Sequence, residues 1–354
     1  MAGRPARPAA VPAAADLTRH PMRLRRLLLG AALALGLAPG TFVRTAVPEA
    51  ADSAAVAVRP LALPRVRAGP LILAGAWELT SDDRHFGGYS ALVAVESGDF
   101  LAVSDQGRTL HFPRPDRRRH GARTGAFRQW GRAHKWQADV EGLARDPATG
   151  RLWTALERSN SIAGFEQDLT MRGRVRPAVM ANWGDNSGPE AFARLADGRF
   201  VAFEETARAG TRHRAALFAG DPLGGGRVSS FLMEGMPGYR PSDAAVMPDG
   251  RLVILWRGID WGIPPRFPAA LSVARVQDIR PGHVLGWTLL AKLEAPVPLD
   301  NYEGLAITAE PGGAAALWLV SDDNLMRFQR TLVLKLLWPG DGGTPQRHGA
   351  RRPS

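Results

Sequence analysis

One hairpin pattern occurs five times along the chain, and few folds can accommodate such a repeat. Each copy has a polar residue, a short apolar strand, a turn containing Gly, and a second strand rich in Val, Leu, Phe and Trp. Turns such as "DG", "ATG" and "SGD" favour hairpins, because Gly readily adopts the positive φ of a tight connection. The copies are "YSALVAVESGDFLAVSDQG", "VEGLARDPATGRLWTALERSN", "PEAFARLADGRFVAFEE", "SDAAVMPDGRLVILWRG" and "DNYEGLAITAEPGGAAALWLVSDDN".

The spacing of the copies favours a closed ring. With Ser90, Glu141, Glu190, Asp243 and Glu303 taken as equivalent, successive copies lie 51, 49, 53 and 60 residues apart. A period of this length is typical of a solenoid or a propeller. From Glu303 to Trp338 is 35 residues and from Pro70 to Ser90 is 20, so joining these two segments gives 55 residues, the length of one more interval. Joining them would remove the exposed strand edges that a linear array must cap.

We therefore predict an all-β protein with a single β-propeller, closed where Leu71–Leu79 and Arg330–Trp338 pair in one sheet. The repeat arithmetic gives five blades, and six is the alternative if Leu271–Leu293 forms a degenerate blade. The segment Pro113–Lys135 is predicted to be a long solvated insertion between the first and second hairpins. The aromatic residues of the second strands are expected to pack between blades; they are Trp153, Phe203, Trp256 and Trp318.

The ends of the chain differ in composition from the repeated body. We predict a signal peptide and disordered leader over residues 1–68, the propeller over 69–339, and a disordered basic tail over 340–354. From Met22, positive charges precede an apolar run, Leu27–Ala38, that is short for a bilayer span and has the layout of a secretory signal. An uncleaved anchor is the alternative. We expect a periplasmic or secreted monomer with no stable membrane span after cleavage.

The basic net charge does not indicate nucleic-acid binding. The formal charge is +11, but residues 1–68 carry +7, residues 108–135 carry +8 and the tail carries +2, so the remainder carries −6. Positive charge that lies outside the repeated body does not form a phosphate-binding face. The chain contains no Cys, which excludes disulfides and a lipid-bearing cysteine.

Charged residues recur at the ends of the hairpins. In an antiparallel hairpin the first strand begins beside the end of the second, so both ends lie on one rim. Around a propeller axis these rims converge on one mouth of the channel. In four hairpins a charged residue lies seven positions after the turn Gly; the pairs are Gly98 and Asp105, Gly150 and Glu157, Gly198 and Glu205, and Gly250 and Arg257. An Ala-rich insertion in the last hairpin delays the acids to Asp322 and Asp323.

The converging carboxylates predict a calcium site. Carboxylates in one funnel repel each other and raise their pKa values unless a cation compensates. Ca²⁺ accepts six to eight oxygens in flexible geometry, whereas zinc is disfavoured because the chain has no Cys and its eight His lack paired spacing. The alternative is that the acids only hydrogen-bond strand ends. The predicted ligands are Glu141, Glu190, Asp243, Glu303, Asp105, Glu157, Glu205, Asp322, Asp323 and Asn324, with neutral oxygens nearby on Ser90, Asn160 and Asn301.

These motifs resemble the phytase-like domain family of secreted bacterial proteins, which is also described as having esterase-like activity. The resemblance covers roughly residues 70–338 and is most specific in the last copy, "DNYEGLAITAEPGGAAALWLVSDDN…QRTLVLKLL". By analogy with calcium-dependent propeller phytases, it implies a β-propeller whose acidic channel mouth holds Ca²⁺ and hydrolyses a small phosphorylated or ester substrate.

On this resemblance, Glu190 and Glu303 are the candidate catalytic carboxylates, and Arg108 and Arg257 are the candidate phosphate clamps. Arginine matches phosphate oxygens with two parallel hydrogen bonds. Arg257 is the best clamp candidate because it stands where the other repeats carry an acid. A serine esterase is disfavoured, since "GYSAL" and "GDNSG" both miss the G-x-S-x-G elbow. A calcium-stabilised binding or scaffold propeller and a lactonase-type esterase are the remaining alternatives.

Overall fold

The computed structural model describes residues 55–83, 85–117, 121–128, 139–184, 187–206, 212–262, 265–326 and 329–339. Within these ranges the chain forms strands and short 3-10 turns, with no α-helix. None of its helical turns has the length and apolar character needed to cross a membrane. The predicted signal segment from Met22 and the predicted basic tail lie outside the described residues.

Five small sheets form a five-bladed β-propeller, so the all-β prediction and the blade count are confirmed. Three strands precede the first repeat: β1 (Val56–Pro60), β2 (Arg67–Ala68) and β3 (Leu71–Ser81). Blade 1 consists of β4 (Tyr89–Ala94), β5 (Phe100–Ser104), β6 (Arg108–Phe112) and β7 (Arg123–Ala126). Blade 2 consists of β8 (Val140–Arg145), β9 (Leu152–Leu156), β10 (Ser161–Phe165) and β11 (Met171–Val175).

The remaining blades follow the same antiparallel order. Blade 3 consists of β12 (Pro189–Arg194), β13 (Phe200–Glu204), β14 (Arg212–Phe218) and β15 (Val228–Glu234), with a short parallel strand at its edge, β19 (Val284–Leu285). Blade 4 consists of β16 (Tyr239–Val246), β17 (Leu252–Gly258), β18 (Ala269–Ala274) and β20 (Thr288–Leu293). Blade 5 consists of β21 (Tyr302–Ala309), β22 (Ala315–Ser321) and β23 (Thr331–Trp338), completed by β3.

The ring closes as the sequence predicts, because β23 pairs antiparallel with β3. Two boundaries differ from the prediction, and the six-blade alternative is excluded. Strands β1 and β2 both pair with β3, so the propeller begins before residue 69. The segment Leu271–Leu293 forms no extra blade, since it completes blade 4 and adds β19 to blade 3. Within Pro113–Lys135, β7 is the outer strand of blade 1.

Apolar side chains fill the spaces between neighbouring blades. Five separate buried clusters are present among the described residues, one at each of the five blade interfaces. The aromatic residues of the second strands lie in these clusters, as predicted: Trp153, Phe203, Trp256 and Trp318 are all buried. Alternating strand faces therefore bury the apolar residues between sheets and leave the strand ends for polar groups.

A charged cluster spans the interface between blades 5 and 1. Lys335 Nζ on β23 lies 2.6 Å from Asp116 Oδ2, and Arg114 Nη2 lies 2.7 Å from Asp116 Oδ2 and 2.8 Å from Glu310 Oε1. Both cations also lie over the ring of Trp318, at 5.0 and 5.2 Å from its centroid. Burial alone would raise the pKa of Asp116, but the hydrogen bonds from Arg114 and Lys335 outweigh it and hold that pKa below 3.8.

This cluster predicts a loss of stability in acid. Because the pKa of Asp116 is lower in the folded chain than in the unfolded chain, its contribution is complete above pH 3.8 and disappears as the pH falls through the folded value. We expect the melting temperature of Asp116→Asn to converge on that of the wild type as the pH falls below 3.8. Asp82→Asn, at an exposed acid outside the cluster, is the control. A pH-independent difference between Asp116→Asn and the wild type would contradict the assignment.

Candidate functional site

A β-bulge at the start of each innermost strand turns one side chain out of the ladder. The register shifts at the same place in all five blades, and a bulged residue is left unpaired and re-aimed. The bulged residues are Ser90, Glu141, Glu190, Ser242 and Glu303. The first-strand polar residues of the repeat are therefore these five, and four of them line one cavity at the mouth of the channel.

A second ring of charged residues lies at the ends of the second strands. Each member comes directly after the second-strand residue that pairs with the residue before the bulge. The members are Asp105, Glu157, Glu205, Arg257 and Asp322. In the four acidic members the backbone N–H donates to a carbonyl at the start of the first strand. These carbonyls belong to Gly88, Asp139, Gly188 and Asn301. The same local geometry thus delivers five charged side chains to one rim.

The two rings enclose what we call the acidic cavity, with a volume of about 290 Å³. Seven carboxylates and two guanidinium groups line it, together with Ser90 and Asn324. The carboxylates are Asp105, Glu141, Glu157, Glu190, Glu205, Glu303 and Asp322, and the guanidinium groups are Arg240 and Arg257. Most of the predicted ligands are therefore brought together.

Asp243 is not among the residues that line the acidic cavity. The predicted alignment of the blade 4 repeat with the other repeats is wrong by one residue. The bulge there falls on Ser242, so Asp243 is equivalent to a position that is Ala or Gly in the other blades. The innermost strands approach closely at this position. A Cβ added to Gly142 would lie 2.6 Å from Cβ of Phe192, for example. We therefore leave Asp243 out of the proposed ligands.

The carboxylate of Asp243 instead ties three blades together at the axis. It is fully buried and accepts hydrogen bonds from the N–H groups of Ala244 at 2.8 Å and Leu305 at 2.7 Å, and also from that of Leu92. These residues lie on β16, β21 and β4. Burial raises the pKa of Asp243 well above its ordinary value, although the three amides oppose the shift.

Two further predicted residues lie outside the acidic cavity. Arg108 is 2% exposed and does not line the cavity, and its Nη2 donates to Asp83 Oδ2 at 2.6 Å. Asp323 accepts hydrogen bonds from the N–H groups of Gly88 and Leu325 and from Thr331 Oγ1. Both residues hold neighbouring loops rather than line the cavity.

Arg257 bridges two cavity carboxylates. Its Nη1 lies 2.9 Å from Glu303 Oε1, and its Nη2 lies 3.3 Å from Glu205 Oε1. Asn301 Nδ2 also donates to Glu303 Oε1 at 2.8 Å, and Arg240 Nη1 lies 3.0 Å from Glu205 Oε1. Burial disfavours the charge on Arg257, but the surrounding carboxylates, led by Glu303, outweigh burial and raise its pKa above the ordinary value.

On the other side of the cavity, two carboxylates have no ion-pair partner. Among the described residues, Glu141 and Glu190 have no basic group within ion-pair distance. Burial raises the pKa of both groups well above the ordinary value, with further contributions from Glu190 at Glu141 and from Glu205 at Glu190. Burial also raises the pKa of Glu157 to about 7, helped by Asp139 and Glu205. Glu141 and Glu190 are therefore buried acids without an ion-pair partner among the described residues, and a bound cation would stabilise their charged forms.

The donor set fits a hard divalent cation. One carboxylate oxygen from each of Asp139, Glu141 and Glu157 lies within 4.8 Å of the others, and the same is true of Glu157, Glu190 and Glu205. Two Ca–O bonds of about 2.3–2.6 Å can span such a separation, and all donors are the oxygens that Ca²⁺ prefers. Asn160 lies beside this group, with its backbone N–H donating to the carbonyl oxygen of Glu157 and its buried Oδ1 lacking a donor among the described residues.

Sequence reasoning missed two residues of the site. Asp139 completes one of the acidic triads, and its Oδ2 also lies 2.8 Å from Nε of Arg158. The signal was present, because Asp139 precedes Glu141 by two positions, as Asn301 precedes Glu303. Arg240 had no comparable signal, since it lies before the repeated motif in blade 4.

The chain matches a known protein family over most of its length. The family described as "Phytase-like: Esterase-like activity of phytase" matches residues 84–325. The search of curated proteins found no match to the chain.

Solved structures with similar chain paths are distant. A PQQ-bound aldose sugar dehydrogenase from Streptomyces coelicolor is 14% identical with a TM-score of 0.41, and the match covers 81% of this chain and 100% of that one. A protein of unknown function from Bacteroides thetaiotaomicron is 10% identical with a TM-score of 0.43, covering 81% and 76%. Hydrazine synthase from Kuenenia stuttgartiensis is 14% identical with a TM-score of 0.38, covering 74% of this chain and 66% of that one. Structural similarity at this level does not indicate a shared function.

Proposed function

The chain belongs to the phytase-like family, and from this membership and the acidic cavity we propose that it is a secreted, calcium-dependent phosphoesterase acting on small phosphate esters. The observation that carries the proposal is the pair of acidic triads that share Glu157, in a region where Glu141 and Glu190 have no basic partner among the described residues. Export rests on the predicted signal segment from Met22.

The proposed calcium ligands are the members of the two triads. They are Asp139, Glu141, Glu157, Glu190 and Glu205. Asp105, Asp322 and Asn324 line the same cavity and supply further oxygens. Glu303 has a different role in this proposal, because it already holds Arg257 in place.

Calcium bound there would supply the positive charge that attracts a phosphate ester and polarises it for attack by water. Arg257 and Arg240 lie at the edge of the same cavity and are positioned to bind phosphate oxygens in exchange for their contacts with Glu205. Glu303 and Asn301 keep the Arg257 guanidinium group oriented.

The reaction requires one proton transfer on each side of phosphorus. A water oxygen bonds to phosphorus as the phosphorus–oxygen bond to the alcohol breaks, water loses a proton, and the leaving alkoxide takes a proton from solvent. In this proposal the carboxylate of Glu190, which lines the cavity and has no ion-pair partner among the described residues, accepts the proton from water.

The test is hydrolysis of 4-nitrophenyl phosphate by the full chain, with Ca²⁺ and after removal of Ca²⁺ by a chelator. We expect hydrolysis only with Ca²⁺, restored when the metal is returned. A lactone assayed in parallel distinguishes a lactonase-type esterase. If Ca²⁺ raises the melting temperature but no phosphate ester is hydrolysed, the protein is a calcium-stabilised scaffold and the proposal is wrong.

A further inference from the structure

A second pocket opens beside the acidic cavity. This side pocket has a volume of about 390 Å³ and shares Glu205, Arg240 and Arg257 with the cavity. The same three side chains border both spaces, so a ligand that displaces the contacts of Arg240 and Arg257 with Glu205 would span the two. Any ligand that does so must place an anionic group near the two guanidinium groups and a different chemical group in the side pocket.

The side pocket is bordered by exposed apolar side chains. Trp261 is 88% exposed, which is the highest exposure of any large hydrophobic residue in the described chain, and Ile259 is 39% exposed. Tyr239 contributes a second aromatic ring. Gly238 leaves space between these groups, because a Cβ added there would meet no atom within 4 Å. Aromatic surfaces of this kind favour stacking with a flat ring.

One buried polar atom in this pocket also lacks a partner. His213 lines the side pocket and is 1% exposed. Its Nδ1 lies 2.9 Å from the carbonyl oxygen of Glu204, which can only accept, so Nδ1 is the donor. Its Nε2 has no hydrogen-bond partner in the part of the chain that the structure describes. Unpaired buried polar atoms are rare in proteins, and a bound ligand is one explanation.

We propose that the side pocket binds the aromatic alcohol part of an aryl phosphate whose phosphoryl group lies in the acidic cavity. This proposal rests on the proposed function for the position of the phosphoryl group only. An apolar cavity of about 150 Å³ accommodates benzene, so the pocket has room for an aromatic ring and its substituents. Arg240 and Arg257 lie at the junction, where the negative charge of the phosphoryl group would meet them.

The test compares binding of phenylphosphonate and methylphosphonate by isothermal titration calorimetry, with the full chain in the presence of Ca²⁺. Neither compound has an ester bond to hydrolyse, so binding is measured without turnover. We expect the wild type to bind phenylphosphonate about tenfold more tightly than methylphosphonate, from ring stacking and burial. Trp261→Ala should lower this ratio by at least about fivefold. Val284→Ala, at an exposed apolar residue on β19 outside the pocket, should keep the wild-type ratio.

The outcomes separate this proposal from the proposed function. Equal affinity of the wild type for the two phosphonates, or an unchanged ratio in Trp261→Ala, would overturn the side pocket while leaving calcium-dependent hydrolysis intact. A ratio that falls in Trp261→Ala supports the pocket even if no ester is hydrolysed, in which case only the proposed hydrolysis fails. A loss of the ratio in Val284→Ala as well would show a general change in the fold and would also count against the pocket.

Discussion

Replacing Glu157 by Gln is expected to lower calcium affinity on the order of 100-fold and to remove calcium-dependent hydrolysis at the Ca²⁺ concentration that saturates the wild type. Glu157 is the member common to both acidic triads, so the change weakens both groups of ligands at once. The side chain keeps its size and one oxygen but loses its charge. Calcium titration and the phosphate ester assay measure the two effects.

The same substitution is expected to increase the stability of the calcium-free protein. Without Ca²⁺ and above about pH 7, where Glu157 is charged, Glu157→Gln should melt at a higher temperature than the wild type, because that charge is buried and repelled by Asp139 and Glu205. Glu96→Gln is the matched control, since Glu96 is an exposed acid in the turn of blade 1, at the opposite end of the strands. Hydrolysis in Glu157→Gln at the wild-type rate and Ca²⁺ dependence would exclude the proposed ligand role.

Replacing Asp243 by Ala is expected to cause a large loss of stability. The change leaves the amides of Ala244, Leu305 and Leu92 without their buried acceptor. Each unsatisfied buried group costs about 1–3 kcal/mol, so the total is at least about 3 kcal/mol. For a domain of this size that corresponds to a fall of at least about 5 °C in melting temperature.

Differential scanning calorimetry with and without Ca²⁺ measures this change. Asp243→Asn is the matched variant, since it keeps one acceptor oxygen and should lose less stability than Asp243→Ala. We expect the loss in Asp243→Ala under both conditions, because Asp243 lies outside the acidic cavity. A loss that appears only with Ca²⁺ would instead identify Asp243 as a calcium ligand.

The repeated hairpin is sufficient to predict most of the fold and much of the site. Five hairpins at regular spacing predicted the blades, and the leftover lengths predicted the pairing of β3 with β23. The position seven residues beyond the turn Gly also identified four members of the second ring of charged residues, because hairpin geometry fixes where a second strand ends. Asp322 is the fifth member, displaced in sequence only by a longer turn.

Other features of the candidate site could not be predicted from the spacing of the repeats. A bulge shifts strand register by one residue, and nothing in the blade 4 motif distinguishes Ser242 from Asp243 as the bulged position. Arg108 follows the Asp105 motif in sequence, yet its side chain pairs with Asp83 away from the mouth. Such contacts arise between segments that are distant in sequence, so a local pattern cannot predict them.

Calcium titration of the metal-free wild type by isothermal calorimetry tests the central claim most directly. The acidic cavity should bind Ca²⁺ saturably, and the measured heat should depend on the buffer, because binding displaces protons from carboxyl groups whose pKa values burial has raised. Binding should be strongly weakened in Glu157→Gln and unchanged in Glu96→Gln. The absence of saturable binding, or equal binding by wild type and Glu157→Gln, would contradict a metal site formed by the converging strand ends.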